Sequence, residues 1–301
     1  MFKNKIKKFT NSFLSKFNLK IVNLSEVGPF DLTSKNQDPL SAQYLVGHNQ
    51  MILNLNLKEG RTNRWFDMCS KSLDPPIFSI RKALKKNLKG DALYHDILST
   101  LKKHKTLTNY ENVAEFLDLN LDNSKNLIKF PWWTKIYPWD NRTFEEMLKY
   151  YPNEVKKNRN SKGMNILSDD PNQIMRENFE NSILSHARQY SDLIDQIKHK
   201  GFRYGANYGY VSAEIFIANN KIRWKPGADG NHRTEVAAAM NLKTIPVLVA
   251  KIIRLEELEY WPNVKNGVFN KDQATKIFYS IFDAKPPRFN DKWIKNYLDK
   301  I

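Results

Sequence analysis

The segment from Gly227 to Val249 places several residues that can bind phosphate within a few positions of one another. Its pattern predicts a tight turn at Gly230, an alanine-rich helix and then a buried strand. The first N–H groups of a helix lack intrahelical partners and carry partial positive charge, so a helix that starts here favours an anion. His232 and Arg233 add side-chain donors, and the planar guanidinium of Arg233 suits phosphate oxygens. The alternative interpretation is a capped helix that leads into a strand, with both side chains exposed.

From about residue 128 to residue 254 the chain resembles the ParB/sulfiredoxin-like superfamily, whose members share a small α/β nucleotide-binding domain. Three segments carry this resemblance in order. Tyr151–Arg159 resembles the first phosphate-contacting segment of the family, Arg188–Phe202 resembles its central helix with the closing glycine, and Asp229–Val249 is the most specific match. The resemblance implies an α/β (α+β) fold that holds nucleotide phosphates at the Gly230 turn.

Departures from the family pattern exclude some of the functions known in the family. Asn231 stands where sulfiredoxin has its catalytic cysteine, and the only cysteine, Cys69, lies far away in the sequence. Repair of peroxiredoxin is therefore not expected. Partition proteins have a Gly-Glu-Arg-Arg turn followed by a helix-turn-helix region, and a DNA clamp of that type is not expected either. The free-serine kinases of the superfamily have an Asp-Gly-His-x-Arg turn, which Asp229, Gly230 and Arg233 match, although the histidine is displaced by one position.

The similarity to the kinase branch implies a nucleotide-dependent phosphotransferase that acts on a small hydroxylated metabolite. ATP or ADP would be the nucleotide and Mg²⁺ the metal. Asp229 would bind magnesium or orient the acceptor hydroxyl, with helix capping as its alternative role, and His232 would hold a phosphate oxygen. The residues expected to bind nucleotide phosphates are Gly230, Asn231, His232, Arg233, Thr234, Arg159, Lys225 and Arg188.

The composition keeps a second function class open. The chain has 301 residues, a formal net charge of +16 and a pI of about 9.6, which favours nucleic acid or an acidic membrane as a partner. Lysine outnumbers arginine about threefold, however, whereas surfaces that bind nucleic acid are typically rich in arginine. The alternative function is therefore a nucleic-acid-binding or nuclease-like ParB-domain protein without kinase activity.

Four segments are expected along the chain: residues 1–24, 25–127, 128–254 and 255–301. In the first, apolar residues recur at helical spacing among lysines, which predicts a basic amphipathic helix over residues 1–20. This helix would either lie on an anionic membrane or dock on the rest of the protein. A single cysteine and the lack of a long apolar run favour a cytoplasmic protein that does not cross a membrane.

Local signals predict the elements that position the turn. Asp170 and Pro171 favour a helix start, Gly201 favours its end, and Asn219-Asn220 suits a two-residue hairpin. The aromatic loop 201–210 is expected to form a rim that closes on a substrate. The tryptophans of segment 127–139 are expected to pack in the core. Strands are predicted at residues 51–57, 211–217, 222–224 and 245–249, and helices at 80–105, 112–119, 255–261, 271–282 and 293–298. Residues 174–200 are expected to form either one long helix or two.

Overall fold

The computed structural model of this chain describes residues 28–35, 38–47, 49–108, 110–160 and 168–298. The basic segment 1–20 lies outside these residues. By its internal contacts the chain divides into two compact units, Met1–Leu53 and Asn54–Ile301. The site predicted from the sequence belongs entirely to the second unit.

The described part of the first unit contains a short strand, the 3-10 helix Thr33–Lys35, one α-helix and the start of a second strand. Strand β1 (Phe30–Asp31) pairs in parallel with the start of β2 (Met51–Asn56), so that Phe30 lies opposite Met51. Helix α1 (Pro39–Val46) begins at Asp38, whose carboxylate accepts hydrogen bonds from the N–H groups of Leu40 and Ser41. The alternation of residues 51–57 therefore predicted β2 correctly.

The second unit is rich in helices. They are α2 (Pro75–Lys85), α3 (Gly90–Leu107), α4 (Val113–Phe116), α5 (Lys125–Ile128), α6 (Phe144–Asn160), α7 (Pro171–Lys200), α8 (Asn231–Ala239), α9 (Pro262–Lys265), α10 (Lys271–Phe282) and α11 (Asp291–Tyr297). Short 3-10 helices cover Leu57–Glu59, Trp132–Thr134, Leu255–Tyr260 and Arg288–Asn290. The predicted helix over 80–105 is two helices, because residues 86–89 leave the helix and Asn87 adopts a positive φ of 55°.

The sheet of this unit is mixed. Strands β3 (Ser212–Ala218) and β4 (Lys221–Pro226) form the predicted hairpin, with Asn219 and Asn220 at positive φ. Strand β5 (Thr244–Arg254) runs parallel to β3, and α8 connects β4 to β5. The N–H of Leu57 donates to the carbonyl of Lys243 at 3.1 Å, just beyond the ends of β2 and β5. The chain is thus a mixed α/β protein, as expected.

Helix α7 has the predicted boundaries. Asp170 accepts hydrogen bonds from the N–H groups of Asn172 and Gln173, Pro171 is the first helical residue, and Gly201 ends the helix at a φ of 68°. Asp169 forms an ion pair with Lys156 at 2.6 Å. The acidic pair 169–170 therefore has structural partners.

Aromatic residues fill the core behind the sheet. Trp139 packs edge-on against Phe216, Trp261 and Phe278, at centroid distances of 5.2 to 6.3 Å. Trp133 is buried as well. The predicted packing of the tryptophans in segment 127–139 is confirmed for Trp133 and Trp139.

In the described part of the chain, no helix is both long enough and apolar enough to cross a membrane.

Candidate functional site

The phosphate turn predicted from the sequence is a sharp corner that leads into α8. Gly230 precedes the helix with a left-handed φ of 87°. A Cβ atom at this position would lie 2.6 Å from Cγ2 and 2.7 Å from Cα of Val211, which is too close for any side chain. The chain just before β3 therefore packs against the turn, and glycine is required there for both conformation and space.

Asp229 does not cap this helix. The residue that precedes α8 is Gly230, which has no side chain, and the carboxylate of Asp229 is exposed. Only the backbone of Asp229 holds the turn: its N–H donates to Oγ of Ser212 at 3.1 Å, and its carbonyl accepts from the N–H of Ser212 at 3.2 Å. The alternative role of Asp229 as a helix cap is thus wrong, and its carboxylate remains directed to the surface beside the turn.

The start of α8 presents backbone donors. Among the described residues, no acceptor is found for the N–H groups of Asn231, His232 and Arg233. The side chain of Asn231 accepts a hydrogen bond from Nδ2 of Asn63 at 2.7 Å, and Thr234 is buried with its hydroxyl on the carbonyl of Gly230. The helix dipole adds positive potential at these donors.

Arg233 holds the neighbouring glycine loop. Its Nη1 donates to the carbonyls of Tyr208 and Gly209, both at 3.0 Å, and its Nη2 donates to the carbonyl of Tyr210 at 2.9 Å. The loop is therefore fastened to the start of α8 by three hydrogen bonds. The sequence predicted only phosphate binding for this guanidinium, whereas in the structure it also holds the loop in place.

These residues surround a cavity of about 330 Å³, which we call the turn cavity. Its lining consists of Gln189, Tyr208, Gly209, Tyr210, Asp229, Gly230, His232 and Arg233. Four of the residues predicted for phosphate or metal binding, Asp229, Gly230, His232 and Arg233, thus meet at one site.

His232 is held between two rings of α7. Its imidazole lies 4.5 Å from the ring of His186 and 5.1 Å from that of Tyr190, measured between centroids. Burial and then the charge of Arg64 lower the pKa of His232 to about 4. Burial, followed by His232 and two arginines, lowers the pKa of His186 to about 3. Both histidines are neutral near pH 7, so His232 offers a hydrogen bond and not a positive charge.

A buried charge network lies beneath the turn. Arg64 donates through Nε and Nη2 to the two carboxylate oxygens of Asp74, at 2.8 and 3.0 Å, and through Nη2 to Glu235. The hydroxyl of Tyr190 donates to the other oxygen of Glu235. Asp74 and Glu235 are 0% and 5% exposed. Burial raises the pKa of Glu235 to about 7, against the opposing effect of Arg64.

The loop that carries Arg64 is strained. Trp65 is fully buried and has a φ of 67°, a conformation that costs about 1–3 kcal/mol for a bulky residue. Backbone hydrogen bonds fix the loop, since the N–H of Arg61 donates to Trp224 and that of Thr62 to Phe66. Sequence analysis missed Arg64 and Asp74. The nearest local signal was an arginine in a short polar run after β2, which by itself indicates no partner.

Asn231 and Thr234, next to the turn, do not line its cavity, and three further predicted phosphate ligands lie elsewhere. Lys225 is buried on β4, 2.8 Å from the carboxylate of Glu214, and does not line the turn cavity. Arg188 is exposed, stacks over the ring of Tyr94 at 4.3 Å and contacts Asp91. Arg159 donates from Nε to the side chain of Asn178 at 2.7 Å and lines a second cavity. The three cations that were expected beside the turn are therefore absent from its cavity, because strand pairing and helix packing direct them to other partners.

The described residues contain no group of three or more His, Cys, Asp or Glu side chains that would hold a metal ion. Cys69 is a free thiol near Asp67 and remote in sequence from the turn. Comparisons of this chain with protein-family models, with curated proteins and with solved structures find no match.

Proposed function

We propose that this chain is a ParB/sulfiredoxin-like phosphotransferase that binds a nucleotide at the turn cavity and acts on a small hydroxylated metabolite. One observation carries the proposal: His232 and Arg233, whose N–H groups have no acceptor among the described residues, line one cavity together with the exposed Asp229. Phosphoryl transfer needs this combination of anion binding and a carboxylate.

The turn supplies the phosphate contacts. Backbone donors at a helix start bind phosphate oxygens without side-chain reorganisation, and the left-handed Gly230 forms the turn from which these donors start. The neutral imidazole of His232 donates one further hydrogen bond to a phosphate oxygen. Arg233 contributes positive charge while its hydrogen bonds hold Tyr208 and Tyr210 at the rim of the cavity.

Asp229 is the residue to which we assign the chemistry. A Mg²⁺ ion that accompanies a nucleotide needs one or two carboxylates together with phosphate oxygens and water, and Asp229 fits this requirement because it is exposed and engages no helix N–H. Such an ion would neutralise charge on the phosphates. In the alternative role, the Asp229 carboxylate does not bind Mg²⁺. It would then orient the hydroxyl group of the acceptor and accept its proton.

The test combines binding and turnover. Calorimetry with AMP, ADP and ATP, with and without Mg²⁺, measures affinity, and a screen of hydroxylated metabolites measures nucleotide-dependent phosphorylation. Asp229→Asn is expected to keep nucleotide affinity within about threefold and to lower turnover about 100-fold or more. Asp272→Asn is the matched control, because Asp272 is an exposed aspartate in the first turn of α10.

Two results would contradict the proposal. The first is the absence of nucleotide binding to the folded wild-type protein. The second is full turnover by Asp229→Asn, which would leave that carboxylate without a chemical role. Arg233→Ala is expected to weaken nucleotide binding about tenfold, since a charge-assisted hydrogen bond contributes roughly 1.5–3 kcal/mol.

One surface keeps nucleic-acid binding as a second candidate function. A depression of about 1220 Å³ near α2 is lined by six cations and by no acid. These cations are Lys71, Arg81, Lys82, Lys85, Lys86 and Lys198. Lys82 and Lys86 already contact Asp96, which reduces the available charge. Oligonucleotide binding that falls steeply with salt and is weakened by Lys85→Met would support this candidate.

A further inference from the structure

A second cavity, of about 380 Å³, lies between α3, α6 and α7. Four of its lining residues are cations, Arg64, Lys105, Lys135 and Arg159, whereas aspartate and glutamate are absent from its lining. We call it the basic cavity. It is a separate pocket from the turn cavity, with a different set of lining residues.

Lys135 is the cation that most needs a ligand. Its side chain is partly buried, and its Nζ lies 4.4 Å from the centre of the Phe116 ring. Within the described residues its Nζ has no hydrogen bond or ion pair, and only its backbone N–H is bonded, to the carbonyl of Trp132. Burial, followed by the charges of Lys225 and Arg64, lowers the pKa of Lys135 to about 8. The amine is therefore still mostly protonated near pH 7, in a place where an ammonium without an anion is costly.

Two further cations that line the cavity, Arg159 and Arg64, are held in fixed orientations. Arg159 is held by Asn178, whose side-chain and backbone oxygens accept from Nε at 2.7 Å and from Nη2 at 3.3 Å. Arg64 is oriented by Asp74 and Glu235. A guanidinium held in one orientation loses little entropy on binding and matches the oxygens of a phosphate group.

Aromatic side chains form much of the remaining wall. Tyr110 lies edge-on against Trp132 at 5.2 Å and against Phe116 at 5.4 Å, and all three line the cavity. Tyr151 and Tyr190 add two further rings. Such walls favour the flat or apolar body of a small ligand, and the volume is within the range of small-molecule sites, about 300–1000 Å³.

We propose that the basic cavity binds a small organic phosphomonoester, with the phosphate held by Lys135 and Arg159 and the organic body against the aromatic wall. A phosphate dianion matches two cations better than a carboxylate does, because it carries more charge and more acceptor oxygens. The site does not depend on nucleotide binding at the turn. It is nevertheless adjacent to it, since His186 lines the basic cavity and its ring contacts His232, which lines the turn cavity.

The probe is phenyl phosphate, which combines the dianion with one aromatic ring, and the full chain is titrated by calorimetry. Inorganic phosphate and phenol serve as the two halves of the ligand. Phenyl phosphate is expected to bind at least about tenfold more tightly than either half, because both the cations and the aromatic wall contribute.

Lys135→Met is expected to weaken phenyl phosphate binding about tenfold or more. The matched control is Lys129→Met. Lys129 also stands over a phenylalanine ring, that of Phe130, at 5.0 Å, but it is exposed and does not line the cavity. This control is expected to change affinity less than twofold. Arg233→Met removes the contribution of the turn to the titration, and the binding that Lys135→Met weakens is expected to persist in this variant.

A second measurement uses the wild-type protein, so that the test does not depend on whether Lys135→Met folds. An anion beside Lys135 raises the pKa of its amine from about 8, so binding near pH 8 is accompanied by proton uptake. Calorimetry in two buffers of different ionisation enthalpy measures this uptake. The proposal is overturned if phenyl phosphate does not bind, if Lys129→Met weakens binding as much as Lys135→Met, or if Arg233→Met abolishes it, which would place the ligand at the turn.

Discussion

Arg64 and Glu235 are 171 positions apart in the sequence and form a buried ion pair directly beneath the N-terminal turn of α8. The same guanidinium holds Asp74, and Tyr190 completes the contacts of Glu235. The loop after β2 and the helix of the turn are thus connected by ion pairs whose two carboxylates are buried. Removal of one partner should cost more than the pair itself contributes.

We expect Arg64→Met to lower the free energy of unfolding by about 3–5 kcal/mol, because two buried carboxylates lose their cation. The control is Arg188→Met, in which the same substitution breaks an exposed pair with Asp91 and should cost about 1 kcal/mol or less. Urea denaturation measures both. If Arg64→Met and Arg188→Met lower the free energy of unfolding equally, the buried ion pairs stabilise the fold no more than the exposed pair does.

Gly230→Ala should destabilise the turn by steric conflict with Val211. Both Gly230 and Gly267 have a positive φ, of 87° and 71°, but a Cβ at Gly267 meets no atom within 4 Å. Gly267→Ala is therefore the control. The strain of a left-handed alanine, about 1–2 kcal/mol, is common to Gly230→Ala and Gly267→Ala. The clash adds about 1–3 kcal/mol to Gly230→Ala alone. Urea midpoints that agree for the two variants would contradict this close packing.

Arg233→Lys should loosen the aromatic loop 201–210. An ammonium cannot replace a planar fork that reaches three carbonyls, so amide hydrogen exchange in this loop should accelerate, by roughly tenfold for each net hydrogen bond of about 1.4 kcal/mol that is lost. Arg203→Lys is the control within the same loop, because Arg203 contacts only the side chain of Tyr208 in the described structure. Exchange rates that rise equally in both variants would argue against the anchoring role.

Stability should fall as the pH decreases from about 6.5 to about 4. Burial lowers the folded-state pKa of His104 and His232 to about 4 and that of His186 to about 3, so the unfolded chain binds protons at these residues first. Glu235 acts in the opposite direction: its raised pKa of about 7 makes stability fall as the pH rises from about 4.5 to about 7. The combined effect of the three histidines on the free energy of unfolding should exceed the opposite effect of Glu235.

Denaturation across this pH range checks the expectation. His104→Gln keeps a donor for Asn290, whose side-chain oxygen lies 3.2 Å from the imidazole, and should reduce the slope. A stability that stays constant, or that increases towards pH 4, would mean that the histidines are not held neutral by burial.

The basic segment 1–20 remains a sequence-based prediction. We expect the full chain to float with anionic liposomes and to lose that property at high salt or after removal of residues 1–20, because lysines and apolar residues alternate at helical spacing. A truncated chain that unfolds would instead support docking of this segment on the protein.

Local structure at the site was predictable from the sequence. Asp170, Pro171 and Gly201 define the ends of α7, and Asn219-Asn220 defines the hairpin, because these residues act through backbone conformation and hydrogen bonds to near neighbours. The turn at Gly230 was predictable for the same reason. Such preferences depend on a few consecutive residues, so a single sequence contains them.

The surroundings of the turn were decided by tertiary structure. The pairing of Arg64 with Glu235, the enclosure of Lys135 by the basic cavity and the burial of Lys225 against Glu214 all join residues from different elements. Their charges have no local signature, since an arginine or lysine in a polar run has the same sequence pattern whether it is solvated or paired. Which carboxylate each one meets depends on how helices pack on the sheet, and that packing is a property of the whole core.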